Sequence, residues 1–237
     1  MKLSRLVEQM TESATLRMAQ LARDLQDKGD DIISLSLGEP DFDTPEAVKK
    51  AATQAMVDGY TKYTPVPGLM NIREAISNKF KRENNLDYTT EEIVVSNGAK
   101  QSIANLCLAL LNSEDEVILF TPYWVSYKDI VGLTGATVIP VQAGIEHDFK
   151  VNPELLKPHL SDKTRLIIFS SPCNPTGSVY REDELQVLAD CLRDYPNITI
   201  LSDEIYEYIN FVGKHVSIAQ FPGMKERVAT VNGFSKG

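Results

Sequence analysis

The stretch Leu166-Ile-Ile-Phe169-Ser-Ser-Pro-Cys-Asn174-Pro-Thr-Gly177 decides the fold. Its first four residues are apolar without alternation and too few for a helix. They read as a strand buried on both faces, the kind that fills a parallel sheet covered by helices. The residues after Phe169 have the chemistry of a turn, with Asn174 held between Pro172 and Pro175. Working outward, the same unit recurs. Ile93–Val95, Val117–Phe120, Thr137–Val141, Ile198–Leu201 and Val228–Val231 are predicted strands. Helices are predicted over Gln101–Leu111, from about Trp124 to Val131, near Glu154–His159, and along the stripe Leu185, Leu188, Ala189 and Leu192. Upstream, Met18, Leu21, Ala22 and Leu25 form a helical stripe closed by Gly29. Thr44-Pro45 opens a second helix through Val48, Ala51, Ala52 and Ala55 to Gly59, and a third runs from about Leu69 to Glu83. The expected class is α/β, a mostly parallel sheet with helices on both faces. Residues 1–45 fall outside the alternation and are expected to form an N-terminal arm and part of a small domain. Residues 46–237 then make the large domain.

Composition narrows the function. The chain has 237 residues, 43% hydrophobic and 24% charged, enough for a substantial core. A net charge of −9 argues against non-specific nucleic-acid binding, which needs clustered Lys and Arg. No apolar run approaches the ~20 residues of a membrane span, and Met1-Lys-Leu-Ser-Arg-Leu-Val-Glu lacks the apolar centre of a signal peptide. Cys107, Cys173 and Cys191 are too few and scattered for a disulfide framework or a zinc site. No metal and no membrane or nucleic-acid partner is expected, and the expected compartment is the cytoplasm.

In an open α/β sheet, ligands bind beyond the carboxyl ends of the strands. The residues there are Ser96-Asn-Gly98-Ala99-Lys100, Thr121-Pro-Tyr-Trp124, the Asn174 turn, Ser202-Asp203-Glu204-Ile-Tyr206 and Ser235-Lys236. Each has an ordinary reading as well as a functional one. The first opens a helix, where free N–H groups are a plain cap or a phosphate site. Trp124 is core or a stacking plane, Asp203 a cap or the partner of a cation, Asn174 a rigid turn or a ligand, and Lys236 a solvated residue or a reactive amine. Together a phosphate anchor, an aromatic plane, an acid, a phenol and a lysine suit pyridoxal 5′-phosphate, which needs a lysine to hold it and an acid for its ring nitrogen.

With these residues in view, the sequence resembles the class I aminotransferases of pyridoxal-phosphate fold type I, especially the bacterial aspartate aminotransferase branch. The likeness rests on SLGEPDFDTP, KYTPVPGLMNIREAI, SNGAKQ, TPYWVSY, SSPCNPTG, SDEIYE and NGFSKG, in that order along the whole chain. It implies that Lys236 carries the cofactor and moves the substrate proton. It implies that Asp203 pairs with the ring nitrogen, and that Tyr206 and Asn174 bond the phenolic oxygen. Trp124 would stack on the ring. Gly98, Ala99, Lys100 and Ser235 would lie at the phosphate, and Gly38 would meet the substrate carboxylate. Tyr63 would reach the phosphate in a partner subunit, so that a homodimer shares its sites. Ser13, Thr15 and Lys100 match the pattern for acidic substrates, with Trp124 and Asn174 also lining the substrate pocket. The expected reaction moves an amino group from an L-amino acid, foremost aspartate, to a 2-oxo acid, foremost 2-oxoglutarate.

Alternatives on the same scaffold are an aromatic or prephenate aminotransferase, a β-lyase, and a non-catalytic regulatory domain. The resemblance also places an antiparallel strand and two arginines beyond the lysine. The chain is therefore expected to be the N-terminal part of an enzyme and inactive by itself.

Overall fold

The computed structural model describes residues 2–4, 7–8, 14–35 and 38–236. Its centre is a five-stranded sheet in the order β2-β1-β3-β4-β5. The strands are β1 (Glu116–Thr121), β2 (Thr137–Gln142), β3 (Thr164–Ser170), β4 (Thr199–Asp203) and β5 (Val228–Val231). Every neighbouring pair is parallel. The helices among the described residues are α1 (Ala14–Asp27), α2 (Glu46–Val57), α3 (Met70–Asn84), α4 (Ala99–Leu110), α5 (Ser126–Gly132), the single turn α6 (Pro153–Leu156) and α7 (Glu182–Arg193).

The unbroken apolar strands are explained by a core on each side of the sheet. Side chains alternate between faces along a strand. Ile118, Phe120, Ile167, Phe169 and Ile200 meet Leu185, Leu188 and Leu192 of α7. Val117, Leu119, Leu166, Ile168 and Leu201 meet Ile103 and Cys107 of α4 and Tyr127, Ile130 and Val131 of α5. Burying such a side chain contributes about 1.5–3 kcal/mol, so a one-residue slip in register would be costly on both faces at once.

One expected strand is absent from the sheet. Ile93–Val95 is extended, but it joins no ladder among the described residues. The Val95 N–H bonds the Pro67 carbonyl at 3.0 Å instead. Three apolar residues do not make a strand without a ladder partner, and the one sheet neighbour of β5 among the described residues is β4.

The upstream helices form where their stripes predict; α3 places Phe80 and Ile76 against the core, whereas the stripe of α2 stays largely exposed. α2 buries no residue. Ile33, Leu35, Phe42, Val48, Met56, Val57, Tyr60 and Tyr63 are all exposed.

Candidate active site

The strand order reverses at β1, whose neighbours β2 and β3 lie on opposite sides. Such a switch point opens a crevice at the carboxyl ends of the strands. The loops leaving β1, β3, β4 and β5 carry Trp124, Asn174, Tyr206 and Lys236, and Asp203 stands at the end of β4 itself.

Asp203 is the last residue of β4 and only 5% exposed. The Tyr127 hydroxyl donates to its Oδ2 at 2.5 Å, and the Ile205 N–H to its Oδ1 at 3.3 Å. Among the described residues no cation pairs with it. Burial pushes its carboxyl above the usual aspartate range, and the two hydrogen bonds only partly offset that. The Tyr127 phenol is raised well above its ordinary value, first by burial and then by the adjacent Asp203 charge, so it stays a donor. Thr121 Oγ1, at the end of β1, is buried with no hydrogen-bond partner among the described residues.

The sequence-predicted residues meet in pairs. Asn174 Nδ2 donates to the Tyr206 hydroxyl at 3.4 Å. Burial raises the Tyr206 phenol, and the Asn174 bond pulls against it. Trp124 sits edge-on to Tyr127, their centroids 5.5 Å apart, and Lys100 Nζ lies 4.9 Å from the Trp124 ring centroid. Lys236 Nζ donates to the Gly38 carbonyl at 2.6 Å, across 198 positions of sequence.

Gly98, at φ 84, starts α4 without a side-chain cap. That φ is left-handed territory favouring glycine. The first N–H groups at Ala99 and Lys100 are therefore left for an anion.

The other expectations fare differently. Ser235 and Tyr63 are exposed, and among the described residues no hydrogen bond or ion pair joins either to these pairs. Ser13 lies outside the described residues, as does the side chain of Thr15.

The profile of the family described as aminotransferase class I and II matches residues 30–237. The chain belongs to the class I and II aminotransferase family. It is 49% identical to a probable aspartate/prephenate aminotransferase of Rickettsia felis, over 94% of this chain and 55% of that protein. It is 44% identical to an aspartate aminotransferase of Bacillus subtilis, over 100% of this chain and 60% of that one. Its fold is similar to the aspartate aminotransferase of Thermus thermophilus with maleate, at a TM-score of 0.95 and 42% identity, covering 100% of this chain and 61% of that one. The chain thus spans 55% to 61% of the length of these relatives.

Enzymes of this family use pyridoxal 5′-phosphate, and two observations fit it. A buried carboxylate without a cation suits a protonated ring nitrogen, because an unpaired buried charge is otherwise expensive. An uncapped helix start at a glycine suits a phosphate.

Sequence reading overlooked Tyr127, although TPYWVSY contains it. The available signal was its spacing: Tyr127, Ile130 and Val131 share the buried face of α5, so the phenol had to find a buried partner. Glu207 and Asn232 were also overlooked; Asn232 Nδ2 donates to Glu207 Oε2 at 2.6 Å. No local pattern announces that pair.

Proposed function

We propose that the protein is a pyridoxal-phosphate-dependent aminotransferase that moves the amino group of aspartate to 2-oxoglutarate. The observation that carries this reading is Asp203, a buried carboxylate without a cation, in the same crevice as the Lys236 loop. The cofactor, when bound, supplies an electron sink for the substrate carbanion. Asp203 would keep the proton on its ring nitrogen, while Tyr127 holds the carboxylate in place. Tyr206 and Asn174 would bond its phenolic oxygen. Trp124 would cover the ring, and the N–H groups at Ala99 and Lys100, presented by the turn at Gly98, with the Ser235 hydroxyl would hold the phosphate. Lys236 Nζ would carry the cofactor and, once displaced by the substrate amine, serve as the base that takes the proton from the substrate α-carbon. Gly38 would meet the substrate carboxylate through its backbone.

Lys100 is a compact charge beside the Trp124 face, suited to the distal carboxylate of an acidic substrate. Ser13 and Thr15 would help to form that pocket. Prephenate is a second acceptor to consider, because the Rickettsia felis relative is named for both substrates.

The exposed apolar residues between Ile33 and Val66 support a homodimer in which Tyr63 reaches the neighbouring site; light scattering of the full-length protein tests it. The reaction is tested by incubating that protein with the cofactor, aspartate and 2-oxoglutarate. Stoichiometric oxaloacetate and glutamate are expected. Pyruvate with ammonia, or no product, would overturn the assignment.

A further inference from the structure

We infer that Glu207 is a positioning residue: through Asn232 it fixes the start of the loop that carries Lys236. This rests on the proposed role of Lys236 as the cofactor-bearing amine. The Glu207 side chain is 4% exposed. Its Oε1 takes the Lys79 ammonium of α3. Its Oε2 accepts from Asn84 Nδ2 at 3.1 Å and from Asn232 Nδ2 at 2.6 Å. One carboxylate thus joins the α3 helix, the loop after β4 and the loop after β5.

Asn232 is used at both ends of its amide. While Nδ2 holds Glu207, Oδ1 accepts the Gly233 N–H at 2.7 Å. The next contact is a close one: a Cβ placed on Gly233 would lie 3.3 Å from Ile205 Cδ1. The Glu204 N–H also bonds the Val231 carbonyl at 2.8 Å, extending the β4–β5 pairing one step past Asp203. The loop after β5 is therefore pressed onto the loop that follows Asp203 and carries Tyr206. Among the described residues no helix or strand follows Gly233, and Phe234 and Ser235 are exposed. Asn232 thus anchors the start of the segment that ends in Lys236, whose Nζ is held at its far end by the Gly38 carbonyl.

A metal reading of the same region does not hold. Glu204, Glu207 and His215 lie close enough to share an ion, but their oxygens are occupied. Glu204 takes Ser202, Ser217 and His215, and Lys79 already supplies the positive charge at Glu207.

A purely structural role would be shared by all the contacts of Glu207; a positioning role singles out Asn232. The test uses the full-length protein with added pyridoxal 5′-phosphate. It compares Asn232→Ala and Asn232→Ser with Asn84→Ala, which touches the same carboxylate oxygen but not the loop. Serine keeps a short acceptor near Gly233 without the reach to Glu207. The readouts are the rate of borohydride-fixed cofactor incorporation at Lys236, the pH midpoint of the bound cofactor's absorbance, and the melting temperature. Both Asn232 variants should slow incorporation roughly tenfold or more, the scale expected of a misplaced reactive group, and shift the midpoint. Asn84→Ala should lower the melting temperature yet leave the rate and midpoint as in the wild type. Equal behaviour of the Asn232 and Asn84 variants would overturn the inference. Absence of any adduct in the wild type would instead remove the reading of Lys236 on which it rests.

Discussion

Replacing Asp203 by Asn should stabilise the cofactor-free protein while disabling the enzyme. The carboxylate is 5% exposed, accepts from Tyr127 and the Ile205 N–H, and faces no cation among the described residues. Its folded-state carboxyl is raised by burial. The folded state therefore binds a proton more tightly than the unfolded state does. Stability from this group is fully present below the ordinary aspartate range and is lost as pH climbs through the raised value, the reverse of an ion-paired carboxylate. At neutral pH an amide of the same shape removes the buried charge and keeps the Tyr127 hydrogen bond at its one oxygen, giving up only the longer 3.3 Å bond from the Ile205 N–H. Leaving a buried polar group poorly compensated costs about 1–3 kcal/mol, and more for a charge. At about 2–4 °C per kcal/mol for a domain of this size, the variant should melt roughly 2–12 °C higher without cofactor. Added pyridoxal 5′-phosphate should then raise the wild-type melting temperature by more than that of the variant. Turnover should fall on the order of a hundredfold or more, because the variant cannot balance charge on the ring nitrogen. Differential scanning fluorimetry from pH 4 to pH 8, with and without cofactor, provides the assay. An Asn variant that is less stable without cofactor, gains as much from it as the wild type and keeps its turnover would refute the reasoning.

Lys100→Ala should lower kcat/KM for aspartate by about 1.5–3 kcal/mol, a lost charge-assisted contact, with little change for an apolar amino acid; equal losses would place Lys100 in the scaffold. Gly98→Ala imposes a side chain at φ 84 and ψ 160 and should cost about 1–3 kcal/mol of stability while raising the Kd for pyridoxal 5′-phosphate, both measurable by cofactor titration and thermal melts. Ile168→Ala, at a fully buried position on the α4/α5 face of the sheet, should cost about 2–5 kcal/mol in urea unfolding.

The strands that build the crevice were legible because each is a short run with no polar face, which only a doubly covered sheet accommodates. The exits were legible for the same reason: Asp203 closes one apolar run, and Asn174 and Lys236 stand in the short polar turns that follow two others. Ile93–Val95 shows the limit of that logic. Its composition matches the other strands, but strand formation needs a neighbour, and Val95 bonds Pro67 instead. The supporting residues were hidden by distance along the chain. Tyr127 reaches Asp203 across 76 positions, and Lys79 reaches Glu207 across 128. Periodicity reports which face of an element is buried, not which polar groups meet there.

The central claim is that Lys236 is the amine that carries the cofactor. It is tested most directly by reducing the full-length protein with borohydride in the presence of pyridoxal 5′-phosphate and mapping the labelled peptide by mass spectrometry. The account predicts one stable adduct, on Lys236, that disappears in Lys236→Ala together with transamination. An adduct on another lysine, or a Lys236→Ala variant with near-normal turnover, would contradict it.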